Sequence, residues 1–225
     1  MKIIAIIPAR GGSKSIPNKN IKKLNGKPLI NYTIENCLKS DIFDYIIVST
    51  DSKKTAKIAR SLGAKCPFIR PANLSESHVN LETVQKFSLN KIEKKGIFPD
   101  LVVHLEETFP FRSHEIIDEM IIRLLEGGYD SVIASHKEAG SVWYEDNTKS
   151  FRRIDKGDIP REFKEKALIG LQGLCCVTYP EFIRKNSLLG KKIGLFEVRN
   201  QLSVLEVRNK ADKSMAEKII KNYKI

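Results

Sequence analysis

The chain has 225 residues, of which 41% are hydrophobic and 29% charged, proportions typical of a single globular domain. It contains no run of 18 apolar residues, and its first apolar run leads into a basic loop rather than a cleavage site. We therefore expect a cytoplasmic protein without a signal peptide or a membrane partner. The net charge of +12 (39 − 27) favours anionic ligands, but the lysines are scattered beside glutamates without interleaved aromatic residues, so we expect no nucleic-acid binding.

Apolar runs alternate with helical spacings along the chain. The runs that predict strands lie at residues 3–7, 45–48, 66–69, 100–105, 131–134 and 170–178, with two further short strands between 193 and 207. The patterns that predict helices follow Pro28 and Pro180 and cover residues 53–62, 80–95, 113–127 and 211–221. This alternation predicts a three-layer α/β/α fold of Rossmann-like type with a mainly parallel sheet.

The four cysteines show no metal-ligand spacing, and we expect all of them to be reduced and packed. Cys175 and Cys176 are adjacent, so their side chains would point to opposite faces of a strand. The cysteines therefore predict neither a disulfide framework nor a zinc site.

The loop at residues 8–20 follows the first strand and carries adjacent glycines among cations. In parallel sheets ligands bind beyond the carboxyl ends of the strands, so the loops after residues 7, 48, 69 and 105 are expected to share one rim. Glycines let backbone N–H groups approach an anion that cations neutralise, which predicts a phosphate site. A basic turn without a ligand would have the same composition, and the loop matches neither G-x-x-x-x-G-K-[ST] nor G-x-G-x-x-G.

The segment IPARGGSKSIPNKN, residues 7–20, resembles the signature A-R-x-G-S-K-G-I-P-x-K-N of the CMP-sugar-acid synthetases. These are the acylneuraminate cytidylyltransferases and their relatives that act on other nonulosonic acids or on KDO. The segment departs at Ser15, where the family usually has a glycine that permits positive φ. The resemblance implies a nucleotide-diphospho-sugar transferase-like fold and CTP as a substrate. The loop residues that it implicates in nucleotide binding are Ala9, Arg10, Gly11, Gly12, Ser13, Lys14, Lys19 and Asn20.

Within this loop the resemblance gives individual side chains different roles. Arg10 and Lys19 are implied to be the catalytic cations that face the triphosphate, where charge builds on the pyrophosphate leaving group. Ser13 and Asn20 are implied to supply neutral hydrogen bonds. Lys14 is either a further phosphate contact or a solvated lysine.

Two shorter motifs extend the implied nucleotide site. The turn Val48–Ser52 resembles the family's V-S-T-D-S and implicates Asp51, although a strand end with a helix cap at Ser52 would look the same. Arg70 lies in an R-P motif whose arginine is implied to read the pyrimidine base. Two guanidinium donors match the O2 and N3 acceptors of cytosine, whereas the alternative is a surface arginine before a turn.

Residues 105–112, LEETFPFR, stand where the family has L-Q-P-T-S-P-L-R. The residues implied to contact the sugar acid are Glu106, Thr108, Arg112 and, in a partly matched N-G position, Gln172. Glu106 replaces a glutamine and Glu107 replaces a proline. Two carboxylates would repel a carboxylate substrate, so they suggest a bound cation or an amino-bearing sugar and argue against sialic acid itself.

The expected metal motif is altered. Many relatives hold Mg²⁺ with D-I-D on a late strand, and the best register here gives Glu206-Val207-Arg208, followed by Asp212. Arginine cannot supply the oxygen ligand that magnesium requires. Either Glu206 helps to anchor the ion through water, or the triphosphate holds the ion, or the enzyme is weakened or inactive.

The alternation of strands and helices stops at residues 140–169, a polar segment with Trp143, Tyr144, Phe151 and Phe163. A floppy surface loop is one interpretation, but structureless loops of this length are uncommon in compact domains. The resembled family carries an arm here that crosses to a second subunit. This implies a single domain, 1–225, with a dimerisation insert, and hence a homodimer.

The resemblance as a whole implies transfer of CMP from CTP to the anomeric hydroxyl of a nonulosonic acid, with release of pyrophosphate. Two alternatives stay open. One is a sugar 1-phosphate nucleotidyltransferase that uses another nucleotide, which the two glutamates allow. The other is a nucleotide-binding protein that kept the loop and lost the metal carboxylates together with catalysis.

Overall fold

The computed structural model of the chain describes residues 1–154 and 167–223. Its strands are β1 Ile3–Pro8, β2 Lys23–Leu24, β3 Lys27–Pro28, β4 Tyr45–Ser49, β5 Leu101–His104, β6 Ser131–Glu138, β7 Trp143–Glu145, β8 Phe151–Arg153, β9 Ala167–Gly170, β10 Cys176–Thr178 and β11 Ile193–Glu197. Its α-helices are α1 Leu29–Ser40, α2 Lys53–Ser61, α3 Leu81–Glu93, α4 His114–Gly127, α5 Pro180–Arg184 and α6 Lys210–Tyr223. Two 3₁₀ turns cover Lys19–Ile21 and Ala72–Leu74.

The main sheet has seven strands, in the order β11-β6-β10-β5-β1-β4, with β9 paired to β6 at one side. Strand β1 is parallel to both β4 and β5, and β11 is parallel to β6. Strand β10 runs antiparallel between β5 and β6. The predicted mainly parallel sheet is thus confirmed in the half that contains β1, whereas the other half is mixed.

Residues of β1 alternate between two cores, one on each face of the sheet. Ile3, Ala5 and Ile7 pack with apolar residues of α1 and α4, while Ile4 and Ile6 pack with those of α3 and α5. Because both faces of β1 are covered, all five positions are apolar. This arrangement confirms the predicted three layers.

The four cysteines are free thiols, as expected. Cys175 belongs to the core on one face of the sheet and Cys176 to the core on the other. Burial raises the pKa of the Cys176 thiol to about 12, so it stays protonated and unreactive at neutral pH. These thiols are packing residues.

The predicted helix starts at residues 53 and 80 are built on side-chain caps. Ser52 Oγ accepts a hydrogen bond from Thr55 N at 3.2 Å, and Asn80 Oδ1 accepts one from Thr83 N at 3.0 Å. Each cap satisfies one of the backbone N–H groups that a first helical turn leaves free. Ser52 is therefore a capping residue.

Three strand predictions were wrong in detail. Residues 66–69 form no strand: pairing with β4 is limited to Lys65, and Pro67 has no N–H to extend it. The segment 170–178 is interrupted by a turn at 172–174, so β9 and β10 are separate strands. Beyond β11 no second strand forms, because Asn200 starts a turn in which its Oδ1 accepts from Leu202 N at 3.0 Å.

The predicted insert at 140–169 contains regular structure where it is described. Strands β7 and β8 form an antiparallel hairpin, and β9 pairs with the C-terminal half of β6. The hairpin exposes Trp143, Tyr144 and Phe151. Phe163 lies outside the described residues. None of the helices in the described ranges is long and apolar enough to cross a membrane.

Candidate active site

A cavity of about 400 Å³ lies at the carboxyl ends of β1, β4 and β5, on the rim that the sequence predicted. It brings together seven of the predicted site residues, namely Arg10, Ser13, Lys14, Lys19, Asn20, Arg70 and Glu106. The predicted residues outside its lining are Ala9, Gly11, Gly12, Asp51, Thr108, Arg112, Gln172 and Glu206. A second cavity, of about 780 Å³, lies against α4 and β11 and contains none of the predicted residues.

The loop after β1 is held by its own hydrogen bonds. Asn20 Nδ2 donates to Arg10 O at 2.9 Å, and Gly11 N donates to Asp51 Oδ1 at 2.7 Å. A Cβ at Gly11 would lie 3.2 Å from Ser52 Cβ, so the close approach of the two loops favours glycine there. Asp51 therefore acts on the loop backbone, and one amide donor of the buried Asn20 is already in use.

The serine in place of the expected glycine causes no backbone strain. The loop residue with positive φ is Asn18, at 54°, not Ser15. Asparagine tolerates the left-handed conformation better than most residues. Ser15 Oγ instead donates to Arg208 O at 2.6 Å, which ties the loop to the segment before α6.

The cations of the cavity have donors available for a ligand. In the described part of the chain, Arg10, Lys14 and Lys19 form no salt bridge within 4.0 Å. Arg70 is buried, its Nε donates to Ser75 Oγ at 2.9 Å, and its Nη1 has no hydrogen-bond partner. Unpaired buried donors are costly unless a ligand meets them, so this group of cations suits a polyanion.

Two glutamates follow β5 and line the cavity together with these cations. Burial opposes ionisation of Glu106, but His104, with Lys19 and Arg112 further out, outweighs it and lowers the pKa of the carboxyl. Burial raises the pKa of Glu107 to about 7, against the opposing effect of Lys19. The pair therefore carries between one and two negative charges at neutral pH.

Arg112, predicted to contact the sugar acid, lies beneath the cavity instead. Its side chain is 1% exposed, and its Nη2 donates to Thr33 Oγ1 at 2.7 Å and to Glu106 O at 3.0 Å. Its Nη1 donates to the carbonyls of Gly173 and Leu174. With its Nη donors committed to the protein, Arg112 supports the floor of the site.

Of the other residues predicted for the sugar acid, Thr108 and Gln172 do not line the cavity. Thr108 is 2% exposed, and its Oγ1 donates to Glu206 Oε1 at 3.3 Å. Gln172 lies in the turn before β10. Glu106 is the predicted sugar contact that lines the cavity itself.

The residues present do not form a carboxylate site for Mg²⁺. Within residues 1–154 and 167–223 no three acidic, histidine or cysteine side chains are grouped as metal ligands. Glu206 Oε2 accepts from Arg208 Nε at 2.6 Å, so the substituted arginine occupies the candidate ligand. Among the described residues, the donor set thus agrees with the altered motif and includes no multidentate carboxylate site.

Sequence reasoning missed a buried pair behind Glu106. His104 ends β5, and its Nδ1 lies 2.6 Å from Nε2 of Gln85 on α3. Its Nε2 lies 3.8 Å from Glu106 Oε1. The available signal was a histidine at the end of the otherwise apolar strand sequence LVVH.

Comparison with known proteins agrees with the geometry. A family model described as Cytidylyltransferase matches residues 4–221. The chain is 41% identical over 119 residues to pseudaminic acid cytidylyltransferase of Campylobacter jejuni, covering 53% of this chain and 51% of that protein. It is 42% identical over 117 residues to CMP-N,N'-diacetyllegionaminic acid synthase of Legionella pneumophila, covering 52% and 50%. The chain thus spans about half the length of these curated relatives.

The fold also has a solved counterpart. The structure of CMP:2-keto-3-deoxy-manno-octonic acid synthetase complexed with CTP superposes with a TM-score of 0.75 at 18% identity, over 99% of this chain and 100% of that one. At this identity the likeness supports the predicted nucleotide-sugar transferase-like fold and nothing more. Since the family match covers residues 4–221, nearly all of the sequence, the chain belongs to the cytidylyltransferase family.

Proposed function

We propose that this protein transfers CMP from CTP to the anomeric hydroxyl of a nonulosonic acid and releases pyrophosphate. The observation that carries the proposal is one cavity in which Arg10, Lys14 and Lys19 form no salt bridge with any described residue. In the same cavity, Nη1 of the buried Arg70 has no hydrogen-bond partner in that part of the chain. Three free cations suit a triphosphate, and a buried arginine donor suits the acceptors of a pyrimidine. The names of the two bacterial relatives agree with a sugar acid as acceptor.

In this proposal the protein acts mainly by positioning and by neutralising charge. The anomeric oxygen attacks the α-phosphorus and forms a new P–O bond, while its proton passes to solvent water. The bond from the α-phosphorus to the oxygen that bridges it to the β-phosphorus breaks, and pyrophosphate leaves. Arg10 and Lys19 stabilise the charge that develops on that leaving group. Asp51 and Asn20 keep the loop in shape, so the cations are in place before the substrate arrives.

A divalent cation, expected from the resemblance, would need most of its oxygen ligands from the triphosphate and from water. Magnesium commonly keeps several waters and binds through substrate phosphates with one or two carboxylates. Glu206 is engaged by Arg208 and Thr108, so it does not stand ready as a ligand. The roles given above to Arg10 and Lys19 do not depend on the ion.

We also propose a cytoplasmic homodimer. The free thiols suit a reducing compartment. The aromatic side chains of the β7–β8 hairpin stand exposed on one small element, and side chains of this kind are enriched at protein interfaces. A second subunit would cover them.

Arg10→Ala tests the proposed catalytic loop. We expect kcat/KM for CTP to fall by about a hundredfold or more, because one fixed cation at the leaving group is lost. The melting temperature should stay within a few degrees of wild type, since the Arg10 side chain makes no salt bridge to any residue in 1–154 or 167–223. Pyrophosphate release measured with CTP and a panel of sugar acids, beside differential scanning fluorimetry, gives both quantities.

Arg123→Ala is the matched control, because Arg123 is exposed on α4 outside the cavity. Near-normal activity of a folded Arg10→Ala protein would remove the basis for the loop assignment. The same assay with four nucleotides and with sugar 1-phosphates tests the transferase alternative. CTP binding without turnover of any acceptor would favour a non-catalytic nucleotide-binding protein. The salt bridge from Glu206 to Arg208 is the observation that favours this alternative.

A further inference from the structure

We propose that Glu106 binds a protonated amino group on the acceptor sugar and that the buried pair His104 and Gln85 positions it for this task. The inference rests on the proposed function and names the chemical class of the acceptor: a sugar acid with one free amine. It is carried by three observations, concerning the pair behind Glu106, the fixed place of Glu106 itself, and the charges around it.

His104 and Gln85 form a connected pair beneath the cavity, and both side chains are fully buried. Gln85 Nε2 lies 2.6 Å from His104 Nδ1, and donation to that nitrogen leaves the imidazole proton on Nε2. In the opposite tautomer an unprotonated Nε2 would point at Glu106, and its lone pair would be repelled by the carboxylate. The hydrogen-bond network therefore selects an N–H directed at Glu106.

The His104 Nε2 donor has no hydrogen-bond partner in the described ranges, and the nearest acidic oxygen is Glu106 Oε1 at 3.8 Å. This separation is too long for a hydrogen bond, but a small movement of the carboxylate would close it. A fully buried N–H directed at the carboxylate keeps Glu106 an acceptor of hydrogen bonds. The open side of that carboxylate faces the cavity.

The place of Glu106 is fixed on the other sides too. Its backbone N donates to Gly173 O at 2.7 Å, and its carbonyl accepts from Arg112 Nη2. A Cβ at position 173 would lie 2.8 Å from Glu106 Cδ, so the side chain packs directly over the glycine. The carboxylate thus sits on a rigid floor with its free lone pairs toward the ligand.

The charges around Glu106 decide the class of partner. Glu107 lines the same cavity, is 6% exposed, and receives no hydrogen bond on its carboxylate from another described side chain. Lys19 is the cavity cation that acts on both glutamates, and a bound triphosphate would neutralise its charge in place. Two carboxylates that lose their cation favour an ammonium over a carboxylate or a neutral acetamide.

The test compares N-acetylneuraminic acid with its 4-, 7- and 9-amino-deoxy derivatives, each of which replaces one hydroxyl by an amine. With wild type and CTP, at least one derivative should exceed the parent in kcat/KM by about tenfold or more, a difference of about 1.4 kcal/mol. Glu106→Gln should reduce that advantage to less than about twofold. Glu181→Gln, an exposed change on α5, is the control.

His104→Gln tests the positioning role. This variant should raise KM for the preferred amino-bearing sugar acid and leave KM for CTP unchanged. General destabilisation of the protein would not change one KM without the other. If that variant does not fold, the same two KM values measured for Gln85→Glu test the positioning role. The Glu106→Gln variant alone still decides whether Glu106 binds the amine.

Four outcomes are distinguishable. An amine preference lost in Glu106→Gln supports the inference. The inference is overturned if wild type shows no preference for an amine, or if the preference survives in Glu106→Gln. In either case, turnover of the parent acid leaves the proposed function standing. A Glu106→Gln protein that needs more Mg²⁺ with every acid overturns it in favour of a metal ligand. No turnover with any acid overturns the proposed function, and this inference with it.

Discussion

Glu106 and Glu107 are neighbours in the chain but meet different surroundings at the cavity. Glu106 has a histidine behind it, and the pKa of its carboxyl is lowered. Glu107 is buried without such a partner, and its pKa is raised to about 7. The expected repulsion between two carboxylates is thus relieved by pairing one with a donor and by keeping the other partly protonated.

The raised pKa of Glu107 predicts how stability depends on pH. The folded protein holds this proton up to about pH 7, while the unfolded chain releases it near the ordinary value of 4.5. The folded state therefore binds more protons across this window, and its stability falls as pH rises through it, by at most about 3 kcal/mol from this group.

Glu107→Gln should remove that slope. We expect the variant to be more stable than wild type at pH 8 and to match it near pH 4.5, by urea unfolding at a series of pH values. Glu181→Gln should follow wild type throughout. Parallel curves for wild type and Glu107→Gln would show that the carboxyl of Glu107 does not titrate in this window.

A substitution of Arg112 distinguishes a structural role beneath the cavity from a role in binding the substrate. Its removal leaves the carbonyls of residues 106, 173 and 174 and the hydroxyl of Thr33 without a buried donor. We expect Arg112→Met to lose about 3 kcal/mol or more in urea unfolding, whereas Arg123→Ala should lose little. A stable variant with a raised KM for the sugar acid would instead return Arg112 to the substrate site.

At the scale of elements, the strands and helices that were predicted correctly are those whose local residue pattern matches their burial in the fold. Strand β1 reads as an apolar run because both its faces are covered, and α2 and α3 begin where serine and asparagine cap them. Two of the wrong strand predictions have local causes that outweigh apolar content. At 66–69 a proline lacks the N–H that a strand needs, and at 198–207 an asparagine starts a turn.

The site was predictable where its residues are contiguous. The loop at 8–20 carries most of the cations, and its motif could be read directly. The pair His104 and Gln85 comes from a strand and a helix 19 residues apart, and no periodicity shows that their side chains meet. The role of Arg112 depended on the direction of its side chain, which the sequence does not give.

At the scale of the whole molecule, the exposed aromatic hairpin leads to a prediction about assembly. Trp143 and Phe151 are 54% and 70% exposed, and a dimer that buries them would gain apolar contact area. Static light scattering at micromolar concentration should report about twice 25.5 kDa. The double change Trp143→Ser and Phe151→Ser should shift the mass toward the monomer, and a monomeric wild type would contradict the proposal.

The antiparallel strand β10 also has a consequence for how the protein is made. It fills the gap between β5 and β6, yet it is synthesised after residue 175, when most of the chain has left the ribosome. Until then β5 has an unpaired edge, and Glu106 lacks the Gly173 carbonyl that fixes its backbone. The Glu106 end of the cavity is therefore assembled only when β10 arrives, and the loop at 8–20 gains its tie to Arg208 later still.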